Sequence, residues 1–172
     1  VMAGFYGVYH GPEGLRRLAE QIHEATSCLA ASLQRAGYRL RNDTWFDTLT
    51  VEVTPDQKEE IAARGTALGI DLRDDLPDAL GITLDEVVVA DGNWREILTA
   101  FSEVAEAEDW DSGIPERRRR SSSFLEQPVF HRYRTETELL RYIRSLEGKD
   151  IALNWSMIPL GSCTMKLNAA SE

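Results

Sequence analysis

Thr48-Leu49-Thr50-Val51-Glu52-Val53-Thr54-Pro55-Asp56-Gln57 holds two different periods. Through Val53, apolar Leu49, Val51 and Val53 alternate with polar Thr48, Thr50 and Glu52, the spacing of a strand that buries one face. At Thr54 the alternation stops. A threonine followed by proline, then by glutamine at the third position on, is a capping box with proline at N1. It predicts a short helix through about Leu68, ended by Gly69. Working upstream, Leu15, Leu18, Ile22, Ala25, Leu29, Leu33 and Ala36 recur at helical steps, while Arg16, Arg17, Glu20, Glu24, Gln34 and Arg35 fill the opposite face. That predicts a long amphipathic helix with Gly37 as its stop. Before it, His10-Gly11-Pro12-Glu13 punctuates a helix-compatible opening. Pro12 suits a first helical position, where its missing N–H is no loss, and Glu13 complements the helix dipole. Working downstream, Ile70 with Leu72 and Ile82 with Leu84 predict two more short strands around a polar connection at 74–78. Asp91 is expected to cap a helix that buries Trp94, Ile97, Leu98, Phe101 and Val104. The order helix, strand, helix, two strands, helix predicts an α+β fold, a small, mainly antiparallel sheet covered by helices, with its periodic part at about 15–105.

Beyond that the pattern changes. Residues 106–128 carry little apolar periodicity. They include Ser112-Gly113-Ile114-Pro115, arginines 117–120 and serines 121–123, and read as a linker. Thr135-Glu136-Thr137-Glu138 is a second capping box, predicting a helix with Leu139, Tyr142, Ile143 and Leu146 on one face and Gly148 at its end. Residues 151–168 are apolar but irregular, broken by Pro159 and Gly161, so 129–172 is expected to form a mostly helical or irregular arm that needs another surface to lie on.

The chain has 172 residues, 42% of them hydrophobic and 28% charged, and a formal net charge of −10. The charge is uneven: 43–111 hold 19 acids against 4 bases, and 112–150 hold 9 bases against 6 acids. An acidic total argues against nonspecific nucleic-acid binding, which depends on many Lys and Arg contacts to phosphate. No apolar run approaches the ~20 residues of a membrane helix. Cys28 and Cys163 have no Cys-x-x-Cys partner, so a reducing compartment is expected. The opening Val1-Met2-Ala3-Gly4-Phe5-Tyr6-Gly7-Val8-Tyr9 has no signal-peptide pattern. It reads as the middle of an element, and Ala169-Ala170-Ser171-Glu172 reads as the opening of a helix, so both ends are expected to be cut.

Three stretches resemble one family. They are Val8-Tyr9-His10-Gly11-Pro12-Glu13-Gly14-Leu15, then Phe46-Asp47-Thr48-Leu49 with Leu80-Gly81-Ile82-Thr83-Leu84-Asp85-Glu86, and then Pro128-Val129-Phe130 through Tyr142 and on into Ser156-Met157-Ile158-Pro159-Leu160-Gly161-Ser162-Cys163-Thr164-Met165-Lys166-Leu167-Asn168-Ala169. In this order, and across essentially the whole chain, they resemble the P-protein family of the glycine cleavage system, the decarboxylating glycine dehydrogenases. The resemblance implies a pyridoxal-phosphate enzyme with two homologous halves of the aspartate-aminotransferase type. Residues 1–105 would then be the small C-terminal domain of the first half, 106–128 the linker, and 129–172 the N-terminal arm of the second half. The implied reaction decarboxylates glycine and passes its aminomethyl group to the lipoyl arm of the H-protein, with pyridoxal phosphate as electron sink. The implied partners are the rest of the P-protein chain, lipoylated H-protein, glycine and a second copy in a homodimer, in bacterial cytoplasm or mitochondrial matrix. Gln127, His131 and Arg134 depart from the pattern, standing where His, Asn and His are expected.

The resemblance also implies that this chain alone is not catalytic and binds no cofactor, because the family's Schiff-base lysine lies in a His-Lys pair. Only Lys58, Lys149 and Lys166 are present, and none follows a histidine. A desolvated Lys166 could serve as a nucleophile, but an exposed or backbone-anchoring lysine is the plainer reading. Gly161, Ser162, Cys163 and Thr164 offer small residues, two hydroxyls and backbone N–H groups suited to a small anion. They are read either as a loop close to the active site of the intact enzyme or as a docking loop only. Cys28, on an apolar helix face, is expected to be inert packing. His10, His23 and His131 are too scattered for a metal site. An alternative reading keeps the chain as a stand-alone, non-catalytic interaction module derived from such an enzyme.

Overall fold

The computed structural model of the chain describes residues 1–150. Its helices are α1 (Met2–Arg35), α2 (Pro55–Ala67), α3 (Glu86–Ala90), α4 (Trp94–Phe101) and α5 (Glu136–Glu147), and its strands are β1 (Arg39–Leu40), β2 (Thr48–Glu52) and β3 (Ala79–Thr83). Contacts divide the described residues into two units, Leu15–Ser122 and Val1–Gly14 with residues 123–150. The fold is α+β, as expected.

In Leu15–Ser122 the sheet runs in the order β1-β2-β3, antiparallel throughout. The register opposes Leu49 to Ile82 and Val51 to Leu80, so alternation on β2 brings its buried residues opposite apolar partners. Leu49, Val51, Leu80 and Ile82 join Leu29 and Leu33 of α1, Ile61 of α2, and Trp94, Ile97, Leu98 and Phe101 of α4 in one core. Full burial of each such side chain stabilises by about 1.5–3 kcal/mol, which is what makes the periodic positions decide the fold. Gly37 ends α1 with φ 92°, a backbone conformation that side chains resist. Just past it, the Tyr38 hydroxyl donates to Phe101 O at 2.8 Å, fastening the end of α1 to the end of α4.

The Thr54 capping box forms as expected, with side-chain and backbone bonds in both directions to Gln57. Three expectations change. Val104 lies beyond α4, which ends at Phe101, and is only half-buried. Residues 70–72 form no strand. The Ile70 N–H is used in closing the end of α2, donating to Gly65 O at 2.8 Å, and only Arg73 bridges β3, exchanging backbone bonds with Gly81. Asp91 does not cap α4, whose N-cap is Asn93 with no side-chain bond. Asp85 instead caps the unforeseen α3, accepting from Val87 and Val88 N–H.

Residues 106–114 are held against this unit. Ala107 is buried; its N–H donates to Ser32 Oγ at 2.9 Å, and Trp45 N–H donates to Gly113 O at 3.2 Å.

In the other unit the Thr135 box forms with Glu138 and starts α5. Leu139, Tyr142, Ile143 and Leu146 are its half-buried apolar residues, as the spacing predicted. Tyr142 stacks on Tyr133 at 4.3 Å and meets Phe5 edge-on at 6.2 Å, so aromatic rings do much of the packing here.

Candidate functional site

The bend in α1 is the most elaborated local structure. Within a helix the Val8 carbonyl would accept from the N–H of residue 12, but Pro12 has none. Gly11 takes φ 60°, ψ −174°, a region essentially reserved for glycine, and the helix breaks there. Val8 is buried, so its carbonyl needs a donor from elsewhere. Arg134 supplies it: Nη1 donates to Val8 O at 2.7 Å and to Tyr9 O at 3.1 Å, and Nη2 donates to Phe130 O. Phe130 lies in a 3-10 turn, Pro128–His131. The Arg134 backbone is fixed in turn, since its N–H and that of Thr135 both donate to Glu138 Oε2 at 3.2 Å. These donors hold the Glu138 carboxyl below the ordinary glutamate range, the Arg134 N–H contributing most. His10 sits in the helix beside the bend, its ring tilted against that of Tyr6 at 4.3 Å and edge-on to that of Tyr9 at 5.2 Å. His131 Nε2 donates to Leu125 O at 2.9 Å.

In Leu15–Ser122, His23 stacks on Phe46 and bonds Phe46 O at 3.0 Å through Nδ1 and Ser112 Oγ at 2.9 Å through Nε2. A carbonyl only accepts, so Nδ1 carries the proton, and in the neutral ring Nε2 accepts from the serine. This histidine organises a loop. Beside it a crevice of about 290 Å³ is bordered by Thr44, Trp45, Phe46, Ile114, Pro115 and Arg118, with Arg118 reaching Thr44 Oγ1 at 3.4 Å. A second cavity, about 250 Å³, opens where 70–72 fails to pair with β3; Leu68, Leu72, Ile82 and Val88 line it together with the polar Asp71, Thr83, Asn93 and Glu96.

Pyridoxal phosphate does not fit the described residues. Lys58 Nζ donates to Leu76 O at 2.6 Å and to Asp74 O, so its ammonium is occupied in pinning the turn. Lys149 is exposed at the end of α5. No group of three or more His, Cys, Asp or Glu among the described residues could hold a metal ion, and no helix among them is long and apolar enough to cross a membrane. Cys28 is a free, buried cysteine. Burial, then the nearby Glu106, pushes its thiol up, away from the reactive thiolate. Gly161, Ser162, Cys163, Thr164 and Lys166 lie outside the described residues. Sequence reasoning missed Arg134. The available signal was Pro12, which orphans the Val8 carbonyl without saying which side chain answers it.

A small open antiparallel sheet covered by helices defines the class, an α+β domain. A family model described as the glycine cleavage system P-protein matches residues 1–101. The chain is similar to proteins named glycine dehydrogenase (decarboxylating): 50% identical to that of Sodalis glossinidius, 49% to that of Edwardsiella ictaluri and 46% to that of Pectobacterium atrosepticum, over 99% of this chain in each case. The chain therefore belongs to the glycine cleavage system P-protein family. It spans 18 or 19% of the length of these relatives.

Proposed function

We propose that this chain is a scaffold section of a pyridoxal-phosphate-dependent glycine decarboxylase. In this reading, 1–105 is the small domain ending the first half of the enzyme, 106–128 the connection, and 129–172 the arm opening the second half. The observation that carries it is identity near 50% to decarboxylating glycine dehydrogenases over 99% of the chain, the arm included. The intact enzyme would decarboxylate glycine and transfer the aminomethyl group to lipoylated H-protein, acting as a homodimer in the cytoplasm of a bacterium, the source of the relatives named above. Pyridoxal phosphate would supply the electron sink and be held by residues elsewhere in that enzyme. Gly161, Ser162, Cys163 and Thr164 would lie near the pocket, where small residues and hydroxyls suit glycine's carboxylate or the cofactor phosphate.

The test is stoichiometric. The chain is titrated with pyridoxal phosphate, reduced with borohydride and mapped by peptide. Sub-stoichiometric label scattered over Lys58, Lys149 and Lys166, without glycine-dependent release of carbon dioxide, is the expected result. One equivalent on a single lysine together with carbon dioxide release would overturn the reading.

A further inference from the structure

We infer that Arg134 is a positioning residue that couples the bend of α1 to the turn leading into α5. Its guanidinium faces three backbone carbonyls and, among the described residues, no carboxylate: Val8 and Tyr9 from one stretch of chain, and Phe130 from another more than a hundred residues away in sequence. Val8 and Tyr9 stand at the C-terminal end of the first segment of α1, and Phe130 stands near the end of the 3-10 turn Pro128–His131. Both are places where carbonyls run out of intrahelical donors and partial negative charge collects. One fork with fixed geometry answers both ends, which a point charge cannot do.

Arg134 is exposed, and its fork packs closely on the bend. A Cβ placed on Gly11 would overlap the Arg134 guanidinium and Phe130 O, so the glycine at the bend is required by the arginine as well as by its own φ. On the other side, the N–H groups of Arg134 and Thr135 are held by Glu138 Oε2. The chain of contacts runs from the α5 cap, through Arg134, to the bend. The arginine thereby sets where α5 starts relative to the first segment of α1.

Hydrogen exchange on Arg134→Gln and Arg134→Lys tests the coupling in the whole chain. In Arg134→Gln, exchange is expected to rise about tenfold, the scale of one lost charge-assisted bond, at the helical amides of residues 6–10 and at Phe130 together. Amides of β2 and β3 should keep their wild-type rates. Arg134→Lys keeps the charge without the fork and is expected to fall between the two. Faster exchange confined to 128–135 would overturn the coupling, and so would equal acceleration throughout β2 and β3, which would mark a general loss of stability. Wild-type rates in Arg134→Lys would overturn the role of the fork.

Discussion

Ser32 shows how much one small hydroxyl can hold. It is fully buried on α1, donates to Cys28 O at 2.7 Å, and accepts from the Ala107 N–H at 2.9 Å. The first bond is the local back-bonding that serine makes in helices. The second fastens a segment 75 residues away to the core. Ser32→Ala therefore leaves a buried N–H without its partner, and the expected loss is about 1–3 kcal/mol, read from the midpoint of urea unfolding. A loss near zero would mean that Ala107 turns out to water at no cost. The neighbouring Cys28 thiol contributes less, reaching Ala107 O at 3.5 Å, a weak sulfur bond.

At the scale of elements, the two capping boxes make different commitments. Thr54 with Gln57 carries no ionisable group in its reciprocal bonds. Thr135 with Glu138 does, and the carboxyl is held below its ordinary value by the N–H groups of Arg134 and Thr135 and by the Thr135 hydroxyl. A group depressed in the folded state stabilises above its unfolded value, about 4.3 for glutamate, and loses that contribution as pH falls through the lower folded value. The Arg134 and Thr135 amide resonances should thus titrate together below the ordinary glutamate range. Glu138→Gln, which keeps the acceptor without the charge, should abolish that titration while α5 persists. Titration at the ordinary glutamate value would show that the box is open in solution.

For the whole molecule, the division of contacts makes the exposed arginines at 117–120 the natural place to cut. Exposed stretches between compact units are where proteases nick. Residues nearer 107 are protected by burial and by the bonds to Ser32 and Trp45, although the whole of 106–128 carries the composition of a linker. Brief trypsin digestion, read by mass spectrometry, is expected to cleave first within 117–120. Earlier cleavage at Arg39, in β1, or at Arg41, just past it, would contradict this order.

Sequence alone determined the elements whose signals are local. The alternation of Leu49, Val51 and Val53, both capping boxes, the long apolar stripe of α1 and its stop at Gly37 each depend on residues within a few positions of one another, and each is present. Family membership was legible for the same reason, because ordered motifs survive as strings. What tertiary structure alone decided is pairing at a distance. Whether 70–72 would join the sheet depended on where the chain returned at β3, which only Arg73 meets, opposite Gly81. Proline at position 12 announced an unanswered carbonyl at Val8. Which side chain would answer it was settled only by the chain's return at Arg134, since a missing hydrogen bond is a local fact and its replacement is a matter of where distant segments come to lie.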